Sequence, residues 1–263
     1  MVTGDWTTGQ TGCPQLVAGY NRAMLFDVTN NYVNCGGASG VLNITGSITL
    51  GAWVYVPNLS ASSVVVTKGN VDGGASTVQY NLYIDANNAV KLQLSNGSTA
   101  ATIYTGTSAV AVNTWTHVAA TFNASSGTAK IYVDGVSQSI TGGSTGLSAL
   151  GSTAIVCYIG ADKYTDRYYF NGLINEVVIY NSELTLAQVQ ALATTGPNGG
   201  PLPPDPMSLS NSSNVVGYWR NDGNVTWTDR SANSNTGTVY GSPDALLFKQ
   251  GVNGQKRWSG VSA

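Results

Sequence analysis

Residues 115–135 read WTHVAATFNASSGTAKIYVDG and hold His117, the one histidine of the chain, between Trp115 and the carboxylate of Asp134. A histidine oriented by an acid is the general base of nucleophilic hydrolysis, so any Ser-His-Asp triad in this chain must use His117. Glycoside cleavage by retention needs instead two carboxylates about 5 Å apart. Only two glutamates exist, Glu176 and Glu183, with six residues between them, and no E-x-D-x-E strand occurs. No P-loop or dinucleotide fingerprint is present either. These residues give an expectation of a protein that is not an enzyme.

The elements that carry His117 and Asp134 explain them without chemistry. From Thr114 to Phe122, Val118, Ala120 and Phe122 fall on one face, and Trp115, His117 and Thr121 on the other. Period two is the mark of a strand with two different faces. After the turn-rich NASSGT, the run AKIYVDG alternates again. Asp134-Gly135 is then a preferred type I′ hairpin pair. Asp134 therefore reads as a turn residue and His117 as a packed or hydrogen-bonded residue of a strand.

The same rhythm recurs at 23–27, 47–56, 62–69, 77–85, 89–95, 99–105, 153–161 and 172–180, with Gly-, Asn- and Ser-rich turns between. Many short strands at this spacing predict an all-β sandwich or barrel. One helix is predicted in ELTLAQVQALA, where Leu184, Leu186, Val189 and Leu192 recur at near-helical spacing before Gly196-Pro197. GPNGGPLPPDP at 196–206 reads as a linker, because Pro and Gly there oppose a regular element. The chain divides into a body at 1–195, the linker, and a segment at 207–263. That segment is strand-like at 215–220 and loop-like at 231–236, and its basic, aromatic end carries no assignable element.

Composition narrows the function. Charged residues make up 9% of the 263 and hydrophobic residues 42%, with a net charge of −2. A chain so poor in charge yet rich in short apolar blocks folds rather than staying disordered. The absence of a basic cluster argues against nucleic acid as a partner. No apolar run reaches membrane-span length. MVTGDWTTGQ has neither a charged n-region nor an apolar h-region, which reads as a mature chain or one exported by a non-classical route. Cys157, in the apolar run AIVCYIG, reads as a core residue, while Cys13 and Cys35 are candidates to pair across a short loop.

Three motifs give the chain a family likeness: SITLGAWVYVPN, WTHVAATFNASSGTAKIYVDG, and FNGLINEVVIYNSELTLAQVQAL. They resemble the laminin-G-like jelly rolls of the concanavalin A-like lectin and glucanase superfamily over about residues 20–195. In the third, Gly172, Ile174, Glu176, Val177, Ile179, Tyr180, Asn181 and Leu184 fall where that pattern expects them. The resemblance implies a two-sheet antiparallel jelly-roll sandwich with one concave sheet. It leaves function open, because such sandwiches host lectins, adhesive modules, hydrolases and structural parts.

Two departures from the family stand out. Its usual opening strand, of the form YW…DG, is missing before LFDVTNNYV, and a likeness to it lies in GYWRNDGN near the other end. That strand either folds back onto the same sandwich, begins a second domain, or pairs with a neighbouring subunit; folding back is preferred, because an unfilled edge is a liability. The second departure is a loss of carboxylates: Val28, Asn31 and Asn175 stand where Gly, Asp and Asp are common. Many relatives bind calcium near these loops, and Asp27 and Glu176 remain as candidate ligands, with hydrogen bonding to loop backbone as their other role.

A laminin-G-like body with a GYWRNDG…TDRS tail is similar to structural proteins of tailed bacteriophages. The likeness implies a virion subunit, such as a capsid decoration or fibre-associated protein, with other virion proteins and further copies of itself as partners. The alternative is a carbohydrate-binding or adhesion module of a secreted or cell-surface protein. Candidate glycan contacts are Trp53 and Tyr55, on one strand face, and Asp162, Lys163, Tyr164, Arg167, Tyr168 and Tyr169, in the loop ADKYTDRYYF. Aromatic faces beside fixed polar groups are what sugar recognition uses. Packing for the two strand residues and a solvated connector for the loop are the competing roles. The two functions are compatible, since a virion subunit can also hold glycans.

Overall fold

A computed structural model describes residues 22–27, 30–57, 61–72, 74–75, 77–195, 203–220, 226–241, 245–250 and 256–261. The first strands are β1 (Arg22–Asp27), β2 (Tyr32–Asn34), β3 (Ile48–Tyr55), β4 (Ser63–Gly69), β5 (Val78–Ile84), β6 (Val90–Ser95) and β7 (Ala100–Thr105). Then come β8 (Trp115–Asn123), β9 (Thr128–Val133), β10 (Val136–Ser137), β11 (Ile140–Thr141), β12 (Cys157–Ile159) and β13 (Asn171–Tyr180). The helix α1 (Leu186–Leu192) follows. The described part closes with β14 (Val215–Trp219), β15 (Thr226–Trp227), β16 (Gly237–Tyr240), β17 (Ala245–Gln250) and β18 (Lys256–Val261).

The strands form two antiparallel sheets. The first runs β10-β9-β8-β3-β13-β1-β17-β18, with β14 also on β13; the second runs β11-β7-β6-β5-β4-β12-β2-β16-β15. Their inner faces close on one apolar core, to which β3 gives Leu50, Ala52 and Val54, β5 gives Leu82 and Ile84, and β6 gives Leu92 and Leu94. At the turn after β9, Asp134 (φ 49°) and Gly135 (φ 73°) are both left-handed, as a type I′ turn requires. The Asp134 carboxylate also accepts from the His117 backbone N–H at 2.8 Å. β17 and β18 pair antiparallel with each other, a pairing that the sequence pattern did not reveal.

One outer face is covered. Thr185 and Gln188 form a capping box that starts α1, satisfying helix donors that would otherwise be orphaned. Leu184, Val189 and Leu192 pack on Tyr132, Val178 and Tyr180 on the outside of the first sheet, while Leu186 faces solvent. β3, and β8 as far as Phe122, are therefore buried on both faces, not on one.

β13 carries two strands on the same edge. β1 pairs with Asn171–Ile174 and β14 with Val177–Tyr180. Between them Glu176 takes φ 53°, inside an irregularity of the β13–β3 ladder. In the second sheet β16 pairs with β2. Trp219 and Trp227, both fully buried, join the common core. The final part of the predicted linker is ordered as a 3-10 turn at Pro206–Ser208, with Asp205 accepting from Met207 N–H at 2.9 Å. Residues 196–202 lie outside the described residues.

Cys35 follows β2 and is buried in the core, its backbone N–H donating to the Cys157 carbonyl at 2.9 Å. Burial raises its thiol pKa well above the ordinary value. Cys13 lies outside the described residues.

Candidate functional site

His117 does not stand in a site. It is buried under the first sheet's outer cover, its ring edge-on to Trp53 at 5.4 Å. Burial lowers its pKa to about 3. The one G-x-S-x-G string, Gly142 to Gly146, is followed by loop and not by the helix that a nucleophile elbow needs. The two glutamates are held apart by separate cations, Glu176 by Arg220 at 3.0 Å and Glu183 by Lys130 at 3.1 Å.

An unfolded histidine takes up a proton below about pH 6.5, whereas buried His117 takes one only near pH 3. Its share of stability is present above pH 6.5 and is lost as pH falls from there towards 3. His117→Gln should change stability by ~0.5–3 kcal/mol and flatten that acid limb. Melting curves from pH 8 to pH 4 check this, and an unchanged acid limb in the variant would rule it out.

Trp53 and Tyr55 must be withdrawn from the glycan candidates. Trp53 is fully buried and its indole N–H donates to the Leu192 carbonyl at 3.1 Å, tying α1 to the sheet. Tyr55 is 4% exposed and packs with Trp115. Neither ring offers a face to a ligand, because the helix and neighbouring side chains cover a surface that strand alternation alone leaves open.

The two calcium candidates lie far apart in the sheet, and the Asp27 side chain is outside the described residues. Asp27 pairs with Asn171 at one end of β13, and Glu176 lies five residues further along that strand. At about 3.3 Å per residue the two are roughly 16 Å apart along it. Calcium ligands sit about 2.3–2.6 Å from one ion, so they cannot share a site. Glu176 is moreover occupied by Arg220 and by the Tyr218 hydroxyl. Among the described residues no cluster of three His, Cys, Asp or Glu could hold a metal. One millimolar calcium should therefore add less than ~0.4 kcal/mol, the value for a dissociation constant of 1 mM. A larger melting shift between calcium and chelator would reveal a tight site.

The loop at 161–170 is built, not slack. Asp162 is fully buried, and its carboxylate accepts from Tyr164 N–H, Thr165 N–H, the Thr165 hydroxyl and Val71 N–H. It is a pin for two loops, not a ligand contact. Lys163 pairs with Asp166 and reaches the Tyr169 hydroxyl at 3.2 Å, and these partners raise its pKa. Tyr164 is 59% exposed. Arg167 reaches Asp72 at 3.3 Å. Tyr168 stands at φ 56°, an unusual conformation for a bulky residue, and its hydroxyl donates to Asp72 at 2.8 Å. Backbone strain of this kind collects at ligand sites.

Tyr168 is the loop residue that meets a depression of about 210 Å³ on the outer face of the second sheet. Strand alternation sets its floor: with Tyr80, Leu82 and Ile84 turned into the core, Asn81 and Tyr83 face outward. Asn81 lies directly across from Gln93, and Tyr83 across from Lys91. These four line the depression with Ser62, Val64, Val71, Asp72 and Tyr168. Both side-chain polar atoms of Asn81 and the Oε1 of Gln93 are buried with no hydrogen-bond partner in the protein. Native proteins leave few such groups, and an unmade bond costs about 1–3 kcal/mol. Lys91 is held by Asp85 at 2.9 Å and lies 5.5 Å from the Tyr104 ring centre.

Sequence reasoning found the loop and missed the floor. The signal was present in VQYNLYI and VKLQLS, whose alternation puts Asn81 and Gln93 on the outward faces. What it lacked was the register that sets one against the other.

Comparisons with known proteins agree with this architecture. A search of curated proteins returned no match. A Bacteroides ovatus structure, provisionally described as a carbohydrate binding protein, matches at TM-score 0.59 and 17% identity, over 87% of this chain and 60% of its own length. This chain thus spans less than two thirds of that protein. The CBM40 of a Ruminococcus gnavus IT-sialidase, bound to alpha2,6 sialyllactose, matches at TM-score 0.53 and 15% identity, over 66% of this chain and 97% of its own. The same domain bound to alpha2,3 sialyllactose gives TM-score 0.51 and 15% identity, over 66% and 96%. At these identities the likeness is one of fold. The laminin-G type family profile, described as concanavalin A-like lectin/glucanases superfamily, matches residues 27–190, more than half the chain. This all-β, two-sheet chain belongs to the concanavalin A-like lectin/glucanase superfamily.

Proposed function

We propose that this chain is a non-catalytic carbohydrate-binding module whose site is the depression between β5, β6 and Tyr168. One observation carries the reading: Asn81 and Gln93 hold unpaired polar atoms at the floor of a depression edged by two tyrosines. A sugar offers what that floor lacks, hydroxyls that both donate and accept, and C–H faces that lie against aromatic rings. The volume is small beside the 300–1,000 Å³ of sites for drug-sized ligands, which fits one ring of a glycan. The fold neighbours described as carbohydrate binding support the same reading, as does the separation of the two glutamates for the absence of hydrolysis. Glycan-array screening followed by calorimetry tests it. Asn81→Ala should weaken binding about tenfold or more, the loss of roughly 1–3 kcal/mol for one buried polar contact, with melting little changed. Binding untouched by that variant would move the site elsewhere.

Placement on a phage particle, with virion proteins and copies of the chain as partners, rests on the β-rich, charge-poor composition and the likeness of the tail. The fold neighbours described as carbohydrate binding support instead the glycan-binding alternative. No helix among the described residues is long and apolar enough to cross a membrane.

A further inference from the structure

We infer that Cys35 and Cys157 join in a disulfide that ties β2 to β12 when a small-molecule disulfide is present as oxidant. The register sets the two against each other. Asn34 pairs with Tyr158 and Val33 with Ile159, so Cys35, the residue after β2, meets Cys157. The Cys35 N–H donates to the Cys157 carbonyl at 2.9 Å, and the Cys157 N–H donates to the Gly36 carbonyl at 2.8 Å. Two residues thus oppose one, as in a β-bulge. Residues opposed in an antiparallel pair have Cα atoms about 4.5–5.5 Å apart, inside the roughly 4.4–6.8 Å that a disulfide spans. Both side chains are buried in the common core, on the same side of the sheet. Cys35 thereby gains a partner other than Cys13.

The surroundings favour the exchange. The two thiols share a hydrogen bond that lowers the Cys157 pKa, and the nearby Lys68 charge acts in the same direction. Lys68 lies directly across from Cys157 in β4, its ammonium donating to the Gly37 and Ile155 carbonyls at 2.5 and 2.6 Å. The Tyr80 hydroxyl reaches Cys157 Sγ at 4.0 Å. The thiolate is the attacking species, so Cys157 attacks first. It displaces one thiolate from the small disulfide and leaves a mixed disulfide on Cys157. Cys35 then gives up its proton and attacks the Cys157 sulfur, expelling the second thiolate. The protein loses two protons and two electrons, and the oxidant leaves as two small thiols. Both sulfurs are buried, so the exchange takes place while the strands are open. The closed sandwich then shields the bond from reductant.

The test incubates the full chain with oxidised and reduced glutathione a few degrees below its melting temperature, where transient opening admits the reagent. Free thiols are alkylated, and proteolytic peptides are mapped by mass spectrometry without reduction. Peptides joined through Cys35 and Cys157 are expected. The linked chain should melt higher than the reduced one by on the order of 10 °C, because the bond closes a long loop that holds β3 to β11. Cys13→Ser should still form the link and show the shift, while Cys35→Ser should lose both. A chain that keeps Cys35 and Cys157 reduced after this treatment, or that joins either of them to Cys13, would overturn the inference. A link that leaves the melting temperature unchanged or lower would overturn its fit to the native fold.

Discussion

A chain ended at Thr195 is expected to lose its folded state. The truncation removes β14, which occupies the edge of β13 at Val177–Tyr180, and β15 and β16, which extend the second sheet from β2. It also removes Trp219 and Trp227, both fully buried in the common core. Truncating one such aromatic side chain costs ~3–5 kcal/mol, and a whole domain is stable by only ~5–15 kcal/mol. Two tryptophans together cost about 6–10 kcal/mol, comparable to that whole margin, and an open edge also promotes aggregation. We propose on this ground that residues 207–263 are part of the sandwich and not an appendage. Size-exclusion chromatography should find aggregate, calorimetry should find no cooperative transition, and residues 207–263 added as a separate peptide should restore both. A truncated chain that stays monodisperse with its melting temperature intact would show that the segment is independent.

Substituting Glu176 is expected to have the next largest effect. Its carboxylate is 4% exposed, 3.0 Å from the Arg220 side chain, and accepts from the Tyr218 hydroxyl. Glu176→Ala leaves a partly buried guanidinium and a buried hydroxyl without this acceptor, a change that costs ~3–5 kcal/mol. Burial raises the Glu176 pKa to about 7, against the opposing pull of Arg220 and Tyr218. Because the folded value lies above the ordinary 4.5, folding takes up a proton between the two. The stabilisation is complete below pH 4.5 and is lost as pH rises through 7. Its size across that window is on the order of 3 kcal/mol, at 1.36 kcal/mol per pKa unit. His117 acts with the opposite sign between about pH 3 and 6.5. Melting temperature against pH for the native chain, Glu176→Gln and His117→Gln separates the two. The Glu176→Gln variant should lose the alkaline decline, and a decline that persists in it would assign the effect to another group.

Much of the sandwich is legible in the strands themselves. TVQYNLYID and AVKLQLS alternate so regularly that β5 and β6 follow from the side-chain period of two. The Asp134-Gly135 pair fixes its own turn, because both residues must be left-handed there. A short element is harder to see: β2 has three residues, too few for a period, and it is a strand because β12 and β16 flank it.

The site divides along the same line. The sequence by itself determined the superfamily, most of the longer strands, the helix, and a loop of tyrosines and charges at 161–170, since each is a local pattern of residue types. Tertiary structure decided which aromatics are free. Trp53 and Tyr55 alternate as surface residues would, yet covering side chains, α1 among them, bury them from the other side of the sheet. It also decided that Asn81 and Gln93 lie opposite each other beneath Tyr168, because cross-strand register and the path of a loop come from long-range pairing that no local pattern encodes.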